Sequence, residues 1–146
     1  MRSRRTLRGM GNVNRALAGT KPCLRVFLVE DSDAVRQRLE QMLASIDGTT
    51  YVGHAEGVGE AIRGILTARP DAVVLDIRLT DGNGFEVLRA IHEQAPEIAV
   101  YMLSNFSSEP YRRMAERLGA TQFFDKTTEF ERMRETLSAR AAQNIH

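Results

Sequence analysis

The chain is poor in several things, and each shortage closes off a class of function. It has one cysteine, Cys23, in 146 residues, so no internal disulfide can form and no zinc cluster of the cysteine type can be built; a reducing, cytoplasmic setting is the expectation. No apolar run approaches the ~20 residues that span a bilayer. The first 22 residues lack the apolar segment of about 7 to 15 residues that a secretory signal requires, so neither membrane insertion nor export is expected. The histidines, His54, His92 and His146, are scattered, which argues against a histidine metal centre. There is no internal repeat of solenoid type and no low-complexity tract.

Acidic residues are missing from the first 22 positions. That arm carries Arg2, Arg4, Arg5, Arg8, Arg15 and Lys21, whereas all 19 acidic residues follow it; the remainder holds 14 basic groups, a net of −5. A basic arm can meet a phosphate-rich partner such as nucleic acid or a membrane surface, or be a solvated leader. Without interleaved aromatics it offers no stacking platform. Residues 1–22 are therefore read as a disordered arm, with neither nucleic acid nor membrane expected as a partner. Met10 is an alternative start that would make the first nine residues a translation artefact.

What is present is an ordinary globular composition, 42% hydrophobic and 27% charged, at a length that suits one domain of about 100 to 150 residues. Leu24 to Val29, LRVFLV, is a short apolar run stopping at Glu30 and Asp31, as a buried strand does. SDAVRQRLEQMLASIDG then sets Val35, Leu39, Met42, Leu43 and Ile46 at helical spacing, opening with Ser32 or Asp33 as a cap and closing at Gly48. The alternation repeats with strands expected at Thr49–Ala55, Ala72–Leu75, Ile98–Leu103 and Gln122–Asp125. Helices are expected at Val58–Ala68, Gly84–Gln94, Pro110–Leu118 and about Thr128–Ala141. Five strands alternating with five helices predict an α/β fold, a doubly wound five-stranded parallel sheet with helices on both faces.

In such sheets, ligands sit beyond the carboxyl ends of the strands. Here Glu30 and Asp31 follow the first strand, Asp76 the third, Ser104 the fourth and Lys126 the fifth. Converging carboxylates repel: two unit charges ~4 Å apart cost about 4 kcal/mol at an effective dielectric near 20. A shared hard cation relieves this, and Mg²⁺ suits a few carboxylates, a carbonyl and water, with Mn²⁺ of the same ligand preference. A lysine and a serine hydroxyl add partners for phosphate oxygens. The set has the chemistry of a phosphoryl-transfer site with Asp76 as nucleophile. Singly, each residue has a plainer reading as a helix cap, a turn or a surface charge.

Taken together, VFLVEDSDAVRQRL, AVVLDIRLTDGNGFEVL, VYMLSN and FFDKTTEF resemble the response-regulator receiver domains of two-component signalling, over about Leu24 to Ala141. The resemblance implies the flavodoxin-like, CheY-like strand order 2-1-3-4-5. It implies that Asp76 is phosphorylated, Mg²⁺-dependently, by a histidine kinase or a histidine phosphotransfer protein. Asp31 would hold the metal directly and Glu30 through water, with Asp76 and the backbone carbonyl of Arg78 completing the protein ligands. Ser104 would follow the phosphoryl group, Lys126 would pair with it, and Phe123 would be the aromatic switch. The face of the fourth helix, fifth strand and fifth helix would then change for a downstream protein, for a relay or for a second copy of the chain in a homodimer.

Thr80 and Thr127 stand where many relatives carry proline, which leaves the stiffness of the second loop open. Glu30 replaces the commoner aspartate and reaches one methylene further. DGNG at 81–84 fits no P-loop spacing and reads as a turn into the helix opening at Gly84. Phe106, Tyr111 and Phe130 fall near the expected output face, where aromatics at helical spacing are more often core than contact. An aspartate-based phosphohydrolase would want an acid two residues after the nucleophile, and Arg78 is there; a phosphate-independent interaction module is the other alternative. The domain is read as 23–141 with a tail at 142–146, a stand-alone receiver or, alternatively, the excised receiver of a longer regulator, and not itself an enzyme.

Overall fold

A computed structural model of the chain describes residues 23–143; the basic arm at 1–22 and the last three residues lie outside the described residues. The chain runs β1 (Leu24–Val29), α1 (Asp33–Ala44), β2 (Thr49–Ala55), α2 (Val58–Ala68), β3 (Ala72–Leu75), β4 (Arg78–Leu79), β5 (Gly82–Asn83), α3 (Gly84–Gln94), β6 (Ala99–Ser104), α4 (Glu109–Arg117), β7 (Gln122–Asp125) and α5 (Phe130–Gln143). Five strands form one parallel sheet in the order β2-β1-β3-β6-β7. This is the expected architecture. The addition is a small antiparallel hairpin, β4 with β5, in the loop after Asp76; two-residue strands are too short to leave a period-2 signature.

Strand alternation builds the core as two layers. Phe27, Val29, Val73, Leu75, Val100 and Met102 point to the side covered by α2, α3 and α4, through Ala61, Ile65, Val87, Leu88, Ile91 and Ala115. Their strand neighbours Val26, Leu28, Val74, Tyr101 and Leu103 point to the other side, covered by α1 and α5 through Leu39, Met42, Leu43, Met133 and Leu137. A strand buried on both faces has no polar positions to alternate. Hence β3 and β6 are apolar along nearly their whole length, and the first polar residue marks where each leaves the core.

Helix limits differ from expectation by local chemistry. The first helix ends at Ala44, not Gly48, because Ser45 turns its hydroxyl back onto the Met42 carbonyl at 2.6 Å, and Gly48 serves the following turn at φ 89°. Of its two candidate caps, Ser32 is the cap, accepting from the Val35 N–H at 3.3 Å. The helix before Pro70 stops because a residue preceding proline is pushed out of the α region; Arg69 takes φ 49° and its N–H donates to the Ile65 carbonyl. The last helix reaches Gln143, two residues into the stretch read as a tail.

Candidate functional site

The chain winds outward from β1 to β2, then returns to place β3 on the other flank of β1. Loops after β1 and β3 therefore diverge, leaving a cleft at the carboxyl edge of the two central strands. Val29 is in register with Leu75, so Glu30 and Asp76 emerge side by side. The Asp76 N–H donates to the Val29 carbonyl at 3.1 Å, which carries the ladder one residue beyond the last strand pair. Around this point Glu30, Asp31, Ser32, Val35, Asp76, Arg78, Ser104, Asn105, Phe106 and Lys126 line one pocket of about 480 Å³.

Six of the seven residues singled out in the sequence meet here. Glu30 is 2% exposed, Asp76 6% and Ser104 0%, whereas Asp31 is open to solvent. Carboxylate oxygens of Glu30, Asp31 and Asp76 lie within 4.8 Å of one another, the one group of three or more acidic, histidine or cysteine side chains among the described residues so arranged. Lys126 Nζ lies between two of them, 2.7 Å from Asp76 Oδ2 and 3.0 Å from Glu30 Oε1. The other Asp76 oxygen accepts from the Ile77 N–H at 2.7 Å, and the second Glu30 oxygen from the Ser32 N–H at 3.1 Å. Phe123, the seventh, is not in this pocket; it sits half-buried on β7 against α4.

The charges are coupled. Burial raises the Glu30 pKa above the ordinary 4.5; Lys126 pulls it down and Asp76 pushes it up, and the net shift is upward. Burial opposes the charge on Lys126, but its bonds to Asp76 and Glu30 outweigh this and lift its pKa above the ordinary value. The ammonium is thus held charged between two carboxylates that would otherwise repel. The donor set, three carboxylates at one edge with Asp31 facing solvent, fits a hard, oxygen-preferring divalent cation. Ser104 turns its hydroxyl to its own loop, accepting from the Phe106 N–H at 3.1 Å, while its carbonyl accepts from the Lys126 N–H at 3.0 Å.

The supporting roles of four residues lay outside the sequence reading. Gly84 opens α3 so close to Asp76 that a Cβ there would fall 2.1 Å from the Asp76 carbonyl oxygen. The available signal was a glycine in a first helical turn, a poor helix former that needs a packing reason. Thr80 donates both its N–H and its hydroxyl to the Glu56 carbonyl, each at 3.1 Å, a pair that proline cannot make. Asp81 accepts from the Val58 N–H at 2.6 Å and so caps α2, whose own cap residue, Gly57, has no side chain. Beyond Lys126, Asp125 Oδ1 accepts from the N–H groups of Thr127 and Thr128 at 2.8 and 2.9 Å, and the Asp125 N–H donates to Glu129 at 2.8 Å. Hydrogen bonds therefore fix the loop at Thr127 where proline would have done so.

The remaining expectations sort readily. Phe106 packs against Tyr111 with the ring planes tilted by 50° and the centroids 5.5 Å apart, at the edge of the pocket. Phe130 lies on the opposite face under the Arg38 guanidinium, 3.9 Å from its ring centre. His54 is engaged by the Tyr51 hydroxyl at 2.6 Å.

A doubly wound sheet with an acidic cleft and a lysine at its switch point places the chain in the class of α/β proteins whose sites lie beyond the carboxyl ends of the strands. Comparison narrows it: residues 26–138 match the family model for the response regulator receiver domain, and the chain belongs to that family. The DNA-binding transcriptional activator DevR/DosR of Mycobacterium tuberculosis is 36% identical over 103 residues, 70% of this chain and 48% of the relative. Protein-glutamate methylesterase/protein-glutamine glutaminase 3 of Geobacter sulfurreducens is 32% identical over 84% of this chain and 34% of its own length. The chain thus spans about half, or less, of the curated relatives it matches. The response regulator domain of Thermotoga maritima CheB superposes with a TM-score of 0.73 at 28% identity, covering 84% of this chain and 96% of that domain. No helix among the described residues is long and apolar enough to cross a membrane.

Proposed function

We propose that the protein is the phosphoacceptor of a two-component or phosphorelay system, with Asp76 as the residue modified. The observation that carries this reading is the Asp76 carboxylate itself. It is buried at the end of a central strand, oriented by Lys126 and the Ile77 N–H, and faces a pocket that also holds Glu30, Asp31 and Ser104. In the reaction, an Asp76 carboxylate oxygen attacks the phosphorus of a phosphohistidine on a histidine kinase or histidine phosphotransfer protein. The new O–P bond forms as the N–P bond breaks, and the imidazole leaves with the bonding pair.

Glu30, Asp31, Asp76 and the Arg78 carbonyl are the groups that would hold Mg²⁺, or Mn²⁺, and such an ion would supply charge neutralisation at the phosphoryl oxygens. Lys126 moves from pairing carboxylates to pairing the transferred group, and it starts 2.7 Å from Oδ2 of the carboxylate that receives that group. Ser104 rotates its hydroxyl from Phe106 to the phosphoryl group, and Phe123 turns into the space behind it. The face of α4, β7 and α5 then differs for a downstream protein or a second copy.

Incubation with Mg²⁺ and a small acyl phosphate is expected to add one phosphoryl group, located at Asp76 by mass spectrometry after borohydride reduction. Asp76→Asn and removal of Mg²⁺ should each abolish it. An unmodified wild-type chain, under conditions that label another receiver, defeats the reading.

A further inference from the structure

The face of α4, β7 and α5 contains a group that the phosphoacceptor reading leaves unused. Arg112 of α4 reaches three separate segments. Its Nε donates to the Ser107 carbonyl in the β6–α4 loop at 2.7 Å, its Nη2 to Glu129 Oε1 ahead of α5 at 2.8 Å, and its Nη1 to the Phe123 carbonyl of β7 at 3.4 Å. The guanidinium carbon also lies 5.0 Å from the centre of the Phe123 ring. Two further bonds close the circuit: the Ser107 hydroxyl donates to Asp125 Oδ2, and the Asp125 N–H to the Glu129 oxygen that Arg112 holds.

We propose that Arg112 is a latch, a positioning residue that holds the chain in its unphosphorylated arrangement and so sets how strongly the phosphoryl group must act to switch it. This rests on the phosphoacceptor reading above. The connectivity carries it. Ser107 is three residues beyond Ser104, so a loop that follows the Ser104 hydroxyl toward Asp76 draws the Ser107 carbonyl from Arg112 Nε. Inward rotation of Phe123 takes its ring from beside the guanidinium. Both movements of the switch break contacts with the same cation, and Asp125, next to Lys126, ties the lysine loop to that event.

The guanidinium reaches the three segments from three different nitrogens held in one plane, whereas a lysine would have to reach all three from a single ammonium nitrogen. Contacts made only in the unphosphorylated state lower the fraction of the competent state and weaken apparent affinity for anything that selects it. Removing the latch must therefore tighten binding of a phosphoryl mimic, although the residue touches neither mimic nor metal.

The test titrates beryllofluoride, in excess Mg²⁺, into the full chain carrying 4-fluorophenylalanine at position 123, with and without Arg112→Ala. The alanine variant is expected to bind the mimic about five- to thirty-fold more tightly, the loss of charge-assisted bonds from one state only. Its fluorine resonance, with no mimic added, should move toward the position that the wild type reaches when saturated. Glu129→Gln, a milder change, should shift both in the same direction. Arg112→Lys should fall between wild type and alanine; a lysine variant identical to wild type overturns the fork. Unchanged or weaker affinity with an unmoved resonance overturns the latch while leaving the phosphoacceptor reading intact. A wild type that, like Asp76→Asn, gives no Mg²⁺-dependent response overturns both.

Discussion

Single atoms govern this site more than side-chain class does. Gly84 has no side chain, yet Asp76 depends on it, because a methyl group there would lie 2.1 Å from the backbone oxygen of Asp76. Backbone on both sides cannot yield as a flexible side chain can. Gly84→Ala is expected to cost about 3 kcal/mol or more in urea unfolding, the upper end of overpacking effects, and to slow labelling at Asp76. Asp125 shows charge acting at the same scale. The Ser107 hydroxyl, then the Thr128 and Thr127 N–H groups, lower its pKa from 3.8 to about 2. A carboxyl depressed by folding stabilises the folded state above its unfolded pKa and loses that contribution as pH falls through the folded value. Thermal melts of Asp125→Asn against wild type should differ fully above pH 3.8 and converge as the pH falls toward about 2.

At the scale of elements, the loops around the site are tied to one another rather than stiffened one by one. Thr80 and Asp81 bind the segment at 56–58, so the hairpin after Asp76 and the start of α2 form a single unit. Asp81→Ala should cost about 1 kcal/mol, the usual value of a helix cap, whereas Asp81→Asn, which keeps the accepting oxygen, should cost much less; equilibrium unfolding measures both. These ties explain what the sequence could and could not disclose. Strands and helices were legible because burial imposes periods of 2 and 3.6 on neighbouring residues, and the limits of α2, α3 and β7 match residue for residue. Asp76 and Glu30 were legible because a polar residue that ends an apolar run is conspicuous, and Lys126 because it follows the fifth strand at the same edge of the sheet. The Val58–Asp81 bond spans 23 residues, and the Arg112–Glu129 bond spans 17. Such partners are chosen by tertiary geometry, and nothing in the local spacing of either residue points to the other.

For the whole molecule, the order of the strands matters more than their number. The pocket takes residues from the ends of β1, β3, β6 and β7, and the Lys126–Glu30 ion pair joins positions 96 residues apart. No contiguous segment contains a working fragment of it. A chain still emerging from the ribosome can have β1, β2 and β3 in place and yet lack the ammonium that its carboxylates need. On the phosphoacceptor reading proposed above, competence to accept a phosphoryl group arrives only with the last strand of the sheet, which brings Lys126 to the carboxylates.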